Sequence, residues 1–177
     1  MGEQRRGDWM QTATGLAFWP MDPRPAEIKI EDIAHALSNL CRYAGHCREF
    51  YSVAQHSVLV ARALPVELRP WGLLHDASEA YLVDVPRPVK PFLAGYKEAE
   101  EAVERAVAEA FGLVWPMPAE VKRVDNAILA DEAAQIMVSP PRDWCLLEPA
   151  LGIDIDPWAP QTAKRRFLEA FHEIESR

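Results

Sequence analysis

The chain has 177 residues, of which 49% are hydrophobic and 26% are charged, and this composition excludes an intrinsically disordered protein. A chain of this length buries one core of ordinary size without disulfide or metal cross-links. Nineteen basic residues against 27 acidic ones give a net charge of −8, which disfavours binding to a nucleic-acid polymer or to an anionic membrane surface.

Proline and cysteine usage adds two expectations. Fifteen prolines and eight glycines indicate helices joined by rigid turns, and no apolar run is long enough for a transmembrane helix. The three cysteines, Cys41, Cys47 and Cys145, lack CxxC spacing and are interpreted as reduced thiols of a cytoplasmic protein. We expect a flexible tail over residues 1–14 and a single domain over residues 15–177.

The first predicted elements lie on either side of a polar connection. Three prolines within residues 15–27 predict an ordered, non-helical arm. Apolar residues at helical spacing predict a helix over residues 31–40. Ser52, followed three positions later by Gln55, is the predicted N-cap of the next helix, which Pro65 ends.

Four further helices complete the predicted fold. Apolar periodicity places them over residues 66–83, 94–111, 118–138 and 160–176. The proline-rich stretch 84–91 is predicted to be a stiff turn. Strand-like alternation is nearly absent, so the sequence predicts an all-α bundle of about six or seven helices.

His75 and Asp76 are adjacent polar residues inside the predicted apolar helix 66–83. Burial of an imidazole and a carboxylate is costly unless another group pairs with them, and a divalent metal does this well. Adjacent helical residues lie about 100° apart, so both reach one ion only at a helix edge or a local distortion. Glu79 shares their face one turn later, where a water-activating group is needed. The alternative is a buried His–Asp hydrogen bond with a purely structural role.

Two further residues favour the metal site. His56 lies mid-helix on an apolar stripe, and Asp125 lies at the apolar–polar boundary of a third helix. With His75 and Asp76 they supply two imidazoles and two carboxylates, and a helical bundle brings such ligands together in its core. Asp131 is a rival to Asp125 as the fourth ligand. The pair of Asp131 and its neighbour Glu132 is instead expected on the solvated or interfacial side.

The order His…His-Asp…Asp resembles the HD-domain metal-dependent phosphohydrolases. Three stretches carry the resemblance: Gln55-His56-Ser57-Val58, His75-Asp76-Ala77-Ser78-Glu79, and Asp84-Val85-Pro86-Arg87-Pro88-Val89-Lys90. They are especially similar to the branch that contains YfbR-type 5′-deoxynucleotidases, and also to phage dATP triphosphohydrolases of the DatZ type. The resemblance spans roughly residues 15–138 and implies an HD-domain helical bundle.

The resemblance implies a role for each matching residue. The four ligands of the family's metal correspond to His56, His75, Asp76 and Asp125. The acid that positions or activates the attacking water corresponds to Glu79, and a second acid near the substrate phosphate corresponds to Asp84. The residues implied to contact substrate are Lys90 and Lys122 at the phosphate, Trp19 and Met21 at the base, and Pro88 at the sugar.

One departure concerns the arm. YfbR-type enzymes carry an arginine immediately before the arm tryptophan, whereas this chain has Phe18 there. Either Arg24 or Arg48 is expected to supply the missing phosphate contact.

The resemblance therefore implies hydrolysis of 5′-phosphates from small deoxynucleotides, with dATP or dAMP favoured. A general deoxynucleoside 5′-monophosphatase and a catalytically inactive ligand-sensing module are the alternatives. The donor set accepts cobalt, manganese, zinc or iron, and magnesium would accompany a triphosphate substrate. Relatives of this kind are commonly dimers or larger assemblies, so a homo-oligomer, either a dimer or a hexamer, is expected.

Overall fold

The computed structural model describes residues 4–176 and is mostly helical, which confirms the all-α prediction. Within those residues there are six α-helices and one helical turn of four residues, α4. Their bounds are α1 Ile30–Asn39, α2 Val53–Ala63, α3 Arg69–Leu74, α4 Glu79–Leu82, α5 Tyr96–Ala110, α6 Ala119–Gln135 and α7 Pro160–Glu175. Two short antiparallel strands, β1 (Met10–Gln11) and β2 (Ala17–Phe18), form a hairpin before them. No helix among the described residues is long and apolar enough to cross a lipid bilayer.

Helix α2 is the centre of the bundle. Nine of its eleven residues are buried, and it contacts α1, α3, α6 and α7. A helix that is buried on every side has no solvated face, so polar side chains within it must find partners inside the protein. Its start confirms the predicted cap, because Oγ of Ser52 accepts a hydrogen bond from the backbone N–H of Gln55.

The prediction of one continuous helix over residues 66–83 is wrong. The helix α3 ends at Leu74, and hydrogen bonds that span three residues, such as Ala77 N–H to Leu74 O, carry the chain to α4. The break begins at His75, because its Nδ1 lies 2.9 Å from Gly72 O. That carbonyl is the one an unbroken helix would offer to the amide of Asp76.

The N-terminal segment packs on the arm that follows it. The Arg5 guanidinium pairs with the carboxylates of Asp22 at 2.5 Å and Glu27 at 2.6 Å. The Phe18 side chain is fully buried and stacks on Tyr81 of α4, with ring centroids 3.9 Å apart. Part of the predicted tail is therefore held against the domain, while residues 1–3 lie outside the described residues.

Candidate metal centre

Four side chains from α2, the α3–α4 turn and α6 converge in the core. The ligand atoms of His56, His75 and Asp125 all lie within 4.8 Å of one another, and all three residues are buried. Asp76 adjoins this trio, with Oδ2 at 3.1 Å from Nε2 of His75 and 3.7 Å from Nε2 of His56. The four residues predicted as metal ligands therefore share one cluster.

The spacing of these atoms fits a single metal ion. Atoms that bind one ion at 2.0–2.2 Å lie about 2.8–3.6 Å apart in cis-octahedral or tetrahedral arrangements. Nε2 of His56 lies 3.3 Å from Nε2 of His75 and 3.1 Å from Oδ1 of Asp125. Nε2 of His75 lies 3.7 Å from the same oxygen. A shift of a few tenths of an ångström is thus enough to accommodate the ion.

The hydrogen bonds of the two imidazoles direct both Nε2 atoms into the cluster. Nδ1 of His75 donates to Gly72 O, because a carbonyl oxygen only accepts, and Nδ1 of His56 lies 2.7 Å from Oε1 of Glu132. In the neutral tautomers each Nε2 then carries a lone pair. Two such lone pairs and two carboxylates repel one another unless a cation lies between them, so the donor set fits a divalent metal.

The pKa shifts of these residues also indicate that the cluster requires positive charge. Burial alone would lower the pKa of His75, but the carboxylates of Asp76 and Asp125 raise it to about 10. The pKa of Asp125 stays well below its usual value despite burial, because His56 and His75 donate to it. Without a metal, a proton on His75 supplies balancing positive charge.

Two more acids predicted to be functional lie beside the cluster. Glu79 is 6% exposed, and its Oε2 has no hydrogen-bond partner among the described residues. Burial raises the pKa of Glu79, and the charges of Asp76 and Asp84 raise it further. Burial also raises the pKa of Asp84, whereas the positive charge of Arg42 lowers it. Glu79 is therefore a buried carboxyl group with one oxygen that has no hydrogen-bond partner in the described structure.

Three positively charged side chains lie beside the acidic residues of this region. Lys90 Nζ lies 3.9 Å from Oε1 of Glu79 and 2.7 Å from Oε1 of Glu100. Lys122 Nζ lies 2.6 Å from Oδ2 of Asp125. The sequence prediction included both lysines, and the structure brings both to the site.

The third cation is Arg42, which the sequence analysis missed. Its Nη1 lies 3.6 Å from Oδ2 of Asp76 and its Nη2 lies 3.1 Å from Oε2 of Glu132. The residues after it, Tyr43 and Ala44, have positive φ angles of 56° and 51°, a conformation that is costly for side chains other than glycine. This turn directs both Arg42 and the Tyr43 hydroxyl toward Glu132.

The expectation that Asp131 and Glu132 lie on the solvated or interfacial side is wrong, because both are buried within the chain. Asp131 accepts backbone N–H groups of the loop after α6, those of Leu151, Gly152 and Ile153, and so caps that loop. Asp125, not Asp131, is the α6 carboxylate that lies with His56 and His75 in the group that could hold a metal.

Glu132 has no exposed surface and accepts hydrogen bonds from several sides. Although burial alone would raise the pKa of Glu132, Arg42 and His56 lower it to about 2. Helical periodicity gives a signal for it, since position 132 lies seven residues, or about two turns, after Asp125 and so on the same face of α6.

The remaining residues predicted to contact substrate have other contacts, or are exposed, in the structure. One face of the Trp19 ring is covered by the Arg5 guanidinium, whose central carbon lies 4.2 Å from the ring centroid. Met21 is 39% exposed, and Pro88 is exposed in the segment after α4. The last two candidates are Arg24 and Arg48, the arginines predicted to supply a phosphate contact.

Arg48 is exposed, and its backbone N–H donates to Ile136 O near the end of α6. Arg24 lies 3.9 Å from the carboxylate of Asp22, in the arm. Arg42 is thus the arginine that the structure brings to the cluster, in place of the two that the sequence suggested.

Comparison with known proteins places the chain in a family. No protein-family model matches it. It is 38% identical to the uncharacterized protein YfdR of Escherichia coli over 169 residues, which are 94% of this chain and 95% of YfdR. An uncharacterized protein of Rhodobacter capsulatus is 40% identical over 129 residues, which are 67% of this chain and 66% of that protein. The chain therefore belongs to the family of YfdR.

Proposed function

We propose that this protein is a metal-dependent phosphohydrolase of the HD type that removes 5′-phosphates from small deoxynucleotides. The observation that carries the proposal is the buried convergence of His56, His75, Asp76 and Asp125 beside Glu79. Two imidazoles and two carboxylates suit manganese, cobalt, zinc or iron. A divalent ion held by them would supply Lewis-acid neutralisation of phosphoryl oxygens and would lower the pKa of water.

The chain's own residues would carry the remaining steps. Glu79 lies one turn beyond His75, and its partnerless Oε2 would accept a hydrogen bond from the attacking water and then its proton. Lys90, 3.9 Å from the other oxygen of Glu79, would bind the phosphate on the same side. Arg42 would neutralise a second phosphoryl oxygen, as its guanidinium already faces Asp76.

The charge distribution supports a small phosphate ligand rather than a polymer. The chain as a whole carries −8, yet Arg42, Lys90 and Lys122 all lie next to acids of the cluster. A bound divalent ion would add two positive charges to these three cations and offset the acids of the cluster. A nucleic-acid polymer would instead need an extended basic surface.

A nucleotide panel tests the proposal. The protein is incubated with Mn²⁺ or Co²⁺ and with ribo- and deoxynucleoside mono-, di- and triphosphates, and the products are separated by chromatography. Conversion of dATP to deoxyadenosine in preference to other bases would identify a triphosphohydrolase, and cleavage of deoxynucleoside monophosphates alone would identify a 5′-monophosphatase. No turnover of any nucleotide by the metal-loaded protein would exclude the enzyme in favour of a ligand-sensing module. Asp76→Ala, which is expected to lose the metal, provides the inactive control.

A further inference from the structure

The buried carboxylate of Glu132 joins the metal cluster to the arginine beside it. Its Oε1 lies 2.7 Å from Nδ1 of His56 and 2.9 Å from the Tyr51 hydroxyl. Its Oε2 accepts from Nη2 of Arg42, at 3.1 Å, and from the Tyr43 hydroxyl. We propose that Glu132 is a positioning residue that holds His56 in the tautomer presenting Nε2 to the metal, an inference that rests on the metal site of the proposed function.

The direction of each hydrogen bond follows from the chemistry of the partners. A guanidinium only donates, and two hydroxyls use their protons on the same carboxylate, so Glu132 acts as an acceptor throughout. Nδ1 of His56 must therefore carry a hydrogen. In the neutral ring, as a metal ion requires it, the lone pair then lies on Nε2, which is the atom 3.3 Å from Nε2 of His75 and 3.1 Å from Asp125.

The arrangement also fixes the plane of the imidazole. His56 is fully buried, and its two nitrogens have contacts on opposite sides of the ring, Glu132 on one side and the cluster on the other. A ring flip would bring a carbon atom against the carboxylate and would lose the charge-assisted hydrogen bond. A carboxylate behind a metal-binding histidine also increases the basicity of the imidazole.

Glutamine cannot take over this task. It has a similar shape, but its amide has one oxygen and one NH₂ group, whereas four donors converge on Glu132. If the oxygen faces His56, the NH₂ group opposes the Arg42 and Tyr43 donors. If it faces those donors, the NH₂ group opposes Nδ1–H of His56 and favours the other tautomer.

The preceding residue provides a matched control. Asp131 is also a buried carboxylate of α6, but its contacts are three backbone N–H groups of residues 151–153, with none to an imidazole in the described structure. Asp131→Asn and Glu132→Gln therefore both neutralise a buried acid on the same helix. The proposal predicts that they differ in metal binding.

The test measures the affinity of the full chain for Zn²⁺ and Co²⁺ by chelator competition at fixed pH, with circular dichroism to check folding. We expect Glu132→Gln to bind about 10- to 100-fold more weakly than the wild type. Asp131→Asn should stay within threefold. Affinity of Glu132→Gln within threefold of the wild type, or equal losses in both variants, would overturn the proposal, as would a wild type that binds neither metal.

A second measurement needs no substitution, and it decides the question if Glu132→Gln does not fold. Long-range ¹H–¹⁵N NMR of the Zn²⁺-loaded wild type identifies which nitrogen of His56 carries the proton. A protonated Nδ1 and a metal-bound Nε2 would support the proposal, and the opposite assignment would overturn it. Neither measurement uses nucleotide turnover. A protein whose metal affinity depends on Glu132 but that hydrolyses no nucleotide would refute the proposed function alone.

Discussion

Gly72 on α3 lies so close to Ala61 on α2 that a Cβ atom at Gly72 would be 2.8 Å from the Ala61 Cα. The same glycine supplies the carbonyl that accepts Nδ1–H of His75. The absence of a side chain at position 72 thus sets the spacing of the two helices that bring His75 to His56. We therefore expect the cluster of His56, His75, Asp76 and Asp125 to depend on this close approach.

Gly72→Ala is expected to weaken both the fold and the metal site. The added methyl group meets backbone atoms of α2, which cannot move aside as a flexible side chain would, and overpacking of this kind costs about 1–3 kcal/mol. Because the helices must separate, the affinity for Co²⁺ should fall as well. Chemical denaturation and chelator competition measure the two effects.

Gly15→Ala separates loss of stability from loss of the metal site. Gly15 has a φ of +86° and open space around the Cβ position, so alanine there introduces backbone strain without a clash. This control should be less stable than the wild type and bind Co²⁺ normally. Normal binding by Gly72→Ala would contradict the role assigned to the close approach.

Metal binding should stabilise the folded protein, and Asp125→Asn should remove that effect. Metal at 100 times its dissociation constant contributes about 2.7 kcal/mol, which corresponds to a rise in Tm of about 5–10 °C for a chain of this size. The asparagine lacks the negative charge that faces His56 and His75. Thermal denaturation with and without Mn²⁺ would show a shift for the wild type and almost none for Asp125→Asn. Equal shifts would mean that Mn²⁺ binds elsewhere.

Glu79→Gln should retain the metal but lose turnover. Glu79 bonds to none of the four predicted ligands, and loss of a group that takes a proton from water costs about 10²- to 10⁴-fold in rate. Phosphate release at saturating nucleotide measures the turnover, and elemental analysis measures the metal that the variant retains. Glu101→Gln, which changes an exposed acid on α5, is the control and should leave kcat unchanged. Full activity of Glu79→Gln would rule out the water-activating role.

The sequence predicted the parts of the fold that local chemistry determines. Apolar periodicity located the main helices, and the Ser52 cap and the prolines located several of their ends. The break at His75 was missed, because it coincides with a hydrogen bond from the His75 side chain to the carbonyl of Gly72. Periodicity reports which residues are apolar and does not reveal such competition for a backbone acceptor.

The candidate site likewise contains residues that the sequence could identify and residues that it did not. His56, His75, Asp76 and Asp125 could be found from the sequence because charged and polar groups stand out within apolar helices. Arg42 could not, and Glu132 was not recognised although it shares a face of α6 with Asp125, because each acquires its role through a partner about 90 positions away. Their pairing depends on the left-handed turn after Arg42 and on the packing of α6 against α2.

Glu104 on α5 should contribute a loss of stability to the metal-free protein as the pH rises. Burial raises the pKa of Glu104 to about 7, with further contributions from Glu100 and Asp76, whereas the unfolded chain has a value near 4.5. The folded state therefore binds the proton of Glu104 more tightly, and the contribution of this residue to the free energy of unfolding falls between about pH 4.5 and pH 7. Above pH 7 the penalty is complete, at about 1–2 kcal/mol once partial exposure of the carboxyl group is taken into account.

Glu104→Gln should remove this penalty, because the amide is neutral at every pH. Urea denaturation in the presence of a chelator should show the variant more stable than the wild type at pH 8 and equal to it near pH 4.5. Glu101→Gln is the control, because this exposed residue pairs only loosely with Arg105, at 3.8 Å, and should change stability by less than about 0.5 kcal/mol at either pH. A stability difference for Glu104→Gln that is the same at both pH values would show that packing, and not ionisation, separates it from the wild type.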